Sequence, residues 1–142
     1  MLLSYMLVVV ETPRGSLSKF AFKNGIFEVE YRTPFPSFFN YGFVKNTRGA
    51  DGMPEDAIVL GKTLKQGSEV EVQEVGTVYF IDDGLVDDKM ITSLDGRVTF
   101  MDRVMITVFF TAYMVFKTVH YYIEEDRVVR CRYHGFSLKA GI

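Results

Sequence analysis

Two short acidic stretches hold the residues best suited to chemistry. Asp51 and Asp56 stand five residues apart across Gly52 and Pro54, and Asp82 and Asp87 stand five apart across Gly84. Carboxylates drawn from two separate segments are what a site for more than one magnesium ion needs, because magnesium takes oxygen ligands in octahedral geometry and keeps several waters. Such a gathering works against its own repulsion and persists only where cations compensate. Lys19, Arg32 and Lys89 could supply cations. Arginine offers phosphate oxygens a planar fork and lysine a point charge, and Tyr41 and Tyr113 can each donate a hydroxyl. The chemistry suggested is the clamping of linked phosphates by metals that neutralise charge and lower the pKa of an attacking water. Taken singly, each acidic stretch also reads as a solvated turn, since Asp-Gly turns and acidic surface runs are common. Each basic residue alone reads as a surface side chain, and each tyrosine as a core or rim aromatic.

For the four carboxylates to meet, the strands that end in them must be neighbours. Tyr5 to Thr12 reads as a strand and Pro13 to Ser16 as a turn. Residues 1–10 therefore read as the start of the fold rather than a secretory leader, with no basic n-region or small-residue cleavage site. Lys19 to Phe22 and Ile26 to Tyr31 alternate polar and apolar about Lys23-Asn24-Gly25, a hairpin signal. Pro34 and Pro36 interrupt the next segment. Phe43 to Lys45 and Ala57 to Leu60 read as short strands around the loop at 49–54. Glu69 to Glu74 and Thr77 to Ile81 read as two more, the second running into the acidic loop at 82–88. Asp102 is expected to cap a helix reaching about Tyr122. Its apolar part, Val104 to Phe116, is shorter than the ~20 residues of a membrane span and reads as buried. Arg127 to Tyr133 alternates as a last strand. Many short strands followed by one helix predict a mainly β fold, a small barrel with helical cover.

A chain of 142 residues predicts one domain, residues 1–142. Thirteen Phe and eight Tyr without Trp favour a core rich in β-structure. A net charge of -2 gives no general affinity for nucleic acid or an anionic membrane. The lone Cys131 excludes an internal disulfide and a CxxC zinc pattern, which suits a reducing cytoplasm.

The ordered succession of these features resembles the family I, or soluble, inorganic pyrophosphatases. The resemblance runs from about residue 7 to 135: Val-Val-Glu-Thr-Pro at 9–13, Ser-Lys-Phe at 18–20, an arginine at 32 and Asn-Tyr-Gly at 40–42. The acidic stretch at 51–56, the second acidic loop with its lysine at 89 and Phe-Phe-x-x-Tyr at 109–113 follow. It implies a closed five-stranded barrel of OB-like topology with a C-terminal helix packed on it. It also implies magnesium-dependent hydrolysis of inorganic diphosphate to two phosphates in a cytoplasmic homo-oligomer. Asp51, Asp56, Asp82 and Asp87 would be metal ligands, with Asp56 and Asp87 bridging ions. Lys19, Arg32, Tyr41 and Tyr113 would bind phosphate, Lys89 would support the acidic loop or the leaving phosphate, and Glu11 would lie at the site's edge.

Departures from the family pattern cluster in that site. Met53 stands where the family has the aspartate that deprotonates the attacking water, and Glu55 where it has an apolar residue. Ala21 replaces a metal-linked glutamate, and Met114 a phosphate-binding lysine, with Lys117 three residues on and able to substitute for it. A thioether neither takes a proton nor holds magnesium well. The same chain can therefore be read as a slow hydrolase, as one using Glu55 as base, or as a regulatory protein that binds phosphate or diphosphate without cleaving it. An OB-type oligonucleotide binder is the remaining possibility, and the acidic balance argues against it.

Overall fold

The computed structural model describes residues 5–49 and 52–142. A β-branched apolar run sets β1 (Tyr5–Thr12), and alternation sets β2 (Ser18–Lys23) and β3 (Ile26–Arg32). Asn24 and Gly25, both at positive φ (53° and 81°), form the two-residue turn between β2 and β3. Only residues that tolerate the left-handed region give a turn whose twist matches the strands. β4 (Asn40–Val44), β5 (Asp56–Leu60), β6 (Glu69–Asp82), β7 (Leu85–Val86) and β8 (Lys89–Ser93) follow, then α1 (Phe100–Glu125) and β9 (Arg132–Leu138).

Five strands close on themselves. β1 pairs β4, β4 pairs β5, β5 pairs β8, β8 pairs β6, and β6 returns to β1. Every pair is antiparallel except β5–β8. This is the closed five-strand arrangement expected, and a closed ring leaves none of the five with an open edge along its paired length. β7 and β9 add to β6, while β2 and β3 form a separate two-stranded sheet. β5 is buried on both faces: Ala57 and Val59 join Val8, Val44 and Val72, and Ile58 and Leu60 join the cluster under the helix. Strands covered on both sides read as continuous apolar runs, as Ala57-Ile58-Val59-Leu60 does.

The Asn40-Tyr41-Gly42 motif has a structural cause. Asn40 is fully buried, its carbonyl oxygen accepting from the Arg14 and Leu64 amides at 3.0 and 2.9 Å and its amide donating to the Lys62 carbonyl at 2.8 Å. A Cβ on Gly42 would sit 2.0 Å from the Val9 carbonyl oxygen, so β4 can approach β1 only with glycine there.

Four expectations need correction. Residues 69–82 form one strand with an irregularity between Glu74 and Gly76 instead of two strands. Residues 89–93, given no element by their sequence, form β8 and complete the ring. The last strand begins at Arg132, five residues late, because Asp126 ends α1 in the left-handed conformation and the pairing with β6 takes up only at Ile81–Arg132. α1 is capped by Thr99 rather than Asp102. The Thr99 hydroxyl accepts from the Asp102 amide, and the Asp102 carboxylate accepts from the Thr99 amide, a reciprocal capping box.

α1 also differs from the fully buried helix expected. Ile106, Phe109, Phe110, Tyr113 and Lys117 face the ring, whereas Val104, Val108, Val115 and Val119 are exposed. At 26 residues it has the length and apolarity of a membrane span, by length and composition alone.

Candidate active site

The register of β5 and β8 builds the centre of the site. Ala57 pairs Met90, so Asp56 and Lys89 head two neighbouring parallel strands, and Asp87 lies two residues before Lys89. The Lys89 ammonium bonds both carboxylates, at 3.2 Å to Asp56 and 2.6 Å to Asp87. Lys89 is 2% exposed. These three side chains line a cleft of ≈ 400 Å³ with Glu55, Glu74 and Asp88.

Burial pushes the Asp87 carboxyl up, Lys89 pulls it back, and Asp56 and Asp82 push it up again. Burial lowers Lys89, but Asp56 and Asp87 outweigh it and raise Lys89 overall. The Asp87 carboxyl therefore stands above its ordinary value, while the Lys89 ammonium, enclosed by two carboxylates, stays charged.

Tyr41 forms the wall behind this trio. Its ring centroid lies 4.7 Å from the Lys19 ammonium and 5.8 Å from that of Lys89. Lys19 also pairs with Glu30 at 3.3 Å. Beyond Tyr41, a small cavity of ≈ 30 Å³ is lined by Lys19, Tyr31, Tyr41 and Tyr113 among others. The Tyr31 and Tyr113 hydroxyls lie 2.8 Å apart. Burial raises the pKa of Tyr31, Tyr41 and Tyr113, so all three stay neutral and able to donate.

The second acidic stretch is a hairpin, not an open loop. Asp83 and Gly84 adopt positive φ (52° and 78°) between the paired Asp82 and Leu85. Asp83 pairs with Arg127, and Asp88 accepts from the Phe80 amide at 3.1 Å. Asp82 bonds Lys117 at 3.2 Å, and the Cys131 thiol lies 3.7 Å from its other oxygen. Of this stretch, therefore, Asp87 and Asp88 line the cleft, and Asp82 is engaged by the helix. Among the described residues, no three His, Cys, Asp or Glu side chains converge as around a preformed metal. Asp51 lies outside the described residues.

The structure brings together Lys19, Tyr41, Asp56, Asp87 and Lys89, with Tyr113 behind them. Arg32 is exposed, one residue past Tyr31 on β3, and alternation turns it to the opposite face. Glu11 is buried against the β2–β3 hairpin, where it accepts from the Phe22 amide at 2.7 Å, and burial raises its pKa. Met53 is 57% exposed between Gly52 and Pro54. The Met114 sulfur accepts from the Tyr133 amide at 3.3 Å, which commits that side chain to β9. Sequence reading missed Tyr31 and Glu74. Lys19 pairs Tyr31 across the hairpin, so the Asn-Gly turn, extended residue by residue through one bulge, would have found Tyr31. No signal in the sequence marks Glu74.

Residues 8–124 match the family model described as inorganic pyrophosphatase. The inorganic pyrophosphatase of Sulfolobus acidocaldarius is 36% identical over 90 residues, which cover 59% of this chain and 51% of that protein. That of Streptomyces coelicolor is 32% identical over 124 residues, 75% of each. The chain thus spans about half the length of the first of these curated relatives and three quarters of the second. The solved inorganic pyrophosphatase of Helicobacter pylori superposes with a TM-score of 0.77 at 25% identity, covering 98% of this chain and 89% of that one. The Thermus thermophilus structure gives 0.80 at 22% identity, covering 95% and 83%, and bears on the fold alone.

Proposed function

The chain belongs to the inorganic pyrophosphatase family, and from that premise we propose that it hydrolyses inorganic diphosphate to two phosphates with magnesium held in the cleft at Asp56 and Asp87. The observation that carries this reading is the Asp56–Lys89–Asp87 trio on the wall of the cleft. Two carboxylates that face an open cleft fit magnesium, which binds through one or two carboxylates and fills its octahedron with waters and phosphate oxygens. Bound there, the metal would supply charge neutralisation and a water of lowered pKa. Asp51 joins the pair by the resemblance.

The chain's own residues do the positioning. Lys19 brings a charge to the phosphate side of Tyr41, and the buried tyrosines offer neutral hydroxyl donors. Lys89 holds Asp56 and Asp87 together. Arg32, exposed at the end of β3, stays outside this reading. Measured phosphate release from diphosphate with Mg²⁺ is expected for the native protein and is expected to fall at least ~10²-fold in Asp56→Ala. Equal release from the two would end the hydrolase reading.

The second reading is a regulatory protein that binds diphosphate without cleaving it, favoured by Met53 at the position of the family's proton-accepting aspartate. Calorimetric binding of diphosphate without phosphate release would select it.

We also propose that α1 joins a second copy of this chain. Met101, Val104, Val108, Val115, Val119 and Tyr122 are exposed at spacings that place them along one stripe of the helix. Exposed apolar patches of this kind mark contact surfaces. Light scattering is expected to give a multiple of the 16.2 kDa chain mass, and a monomeric mass would exclude self-association.

A further inference from the structure

We propose that Lys117 supplies Asp82 with the positive charge that a divalent ion supplies to the carboxylates of the cleft, so that Asp82 is not a metal ligand. The inference rests on the reading of Asp56 and Asp87 as the metal-holding pair. Lys117 is only 8% exposed although it carries a charge. Its ammonium lies 3.2 Å from the Asp82 carboxylate and 5.2, 5.9 and 5.0 Å from the ring centroids of Tyr31, Tyr113 and Tyr121. Three aromatic faces and one carboxylate thus surround it, an arrangement suited to a fixed cation. Asp82 is also absent from the lining of the cleft that Asp56 and Asp87 share, so its carboxylate lacks the open volume that a magnesium ion with its retained waters needs.

Helix phase explains why the lysine comes from this position. Lys117 lies one turn beyond Tyr113 on the face turned to the ring, whereas Met114 is rotated toward β9 and bonded there through its sulfur. The cation therefore enters along the Tyr113 row, and it reaches the last residue of β6. Asp82 becomes the partner of a resident charge, and the divalent sites contract to the β5–β8 end of the cleft.

Manganese titration by calorimetry on the substrate-free protein tests this. Asp82→Asn should leave the affinity within twofold of the native protein, and Asp87→Asn should weaken it at least tenfold. Lys117→Met should gain one site, which Lys117→Met/Asp82→Asn should lose again. Weakened binding in a folded Asp82→Asn, or no gained site in a folded Lys117→Met, overturns the proposal alone. Unweakened binding in Asp87→Asn overturns the metal reading of the cleft and the proposal with it. If Lys117→Met does not fold, the Asp82→Asn titration decides.

Discussion

Met53→Asp is expected to raise phosphate release from diphosphate by about 10²-fold, the lower end of what a positioned general base contributes. The backbone around position 53 is already held. The Met53 carbonyl accepts from the Gly49 amide at 2.7 Å, and the Gly52 amide donates to the Gly49 carbonyl at 3.0 Å. A carboxylate there would sit between Gly52 and the cleft-lining Pro54 without any change of main chain. Aspartate takes a proton at neutral pH where a thioether cannot. The control is Glu55→Gln. If Met53→Asp is no faster than the native protein and Glu55→Gln is at least tenfold slower, Glu55 is the base, and the loop performs with one residue what the family does with another. If neither substitution changes the rate, no side chain of this loop takes the proton.

Lys89→Met should cost about 3 kcal/mol of stability, read as a lowered urea midpoint at unchanged slope. Truncating one member of a buried ion pair leaves the partner charge uncompensated, at roughly 3–5 kcal/mol for full burial. Asp56 and Asp87 keep part of their surface in water, which sets the expectation at the lower end. Lys89→Met/Asp87→Asn should be more stable than Lys89→Met, because the orphaned charge has been removed with its partner. A double variant no more stable than the single one would mean that Lys89 matters for packing and not for charge.

Much of the fold was legible because local patterns agreed with it. The β-branched run in Tyr5 to Thr12 and the Asn24-Gly25 turn required nothing distant. β8 was not legible, because five residues headed by a lysine look like a loop until the parallel pairing with β5 buries them. The break expected at Glu74–Gly76 was real as an irregularity but not as an end, since β6 has partners on both sides of it. The helix was recognised, but its exposed face was not, because Val104, Val108 and Val115 read as apolar whether they meet a core or solvent.

The candidate site divides in the same way. Lys19, Tyr41, Asp56, Asp87 and Lys89 were legible as residue types in order, and the structure gathers them. Arg32 was named for its charge and is exposed at the end of β3, while its neighbour Tyr31 bonds Tyr113. The partner of Asp82 depended on helix phase, which spacing suggested for Lys117 without fixing where its ammonium would go.

The ring that organises this molecule has a cost during translation. β5 ends at Leu60, but β8, its second partner, ends only at Ser93. At ~5–20 residues per second, a ribosome needs roughly 2 to 7 s to add those 33 residues. Throughout that interval the nascent chain carries Ala57-Ile58-Val59-Leu60 with one open edge, the kind of template on which another chain can add. Closure thus comes late in synthesis, and the most apolar strand of the ring depends on its surroundings in the cell until the short segment headed by Lys89 emerges.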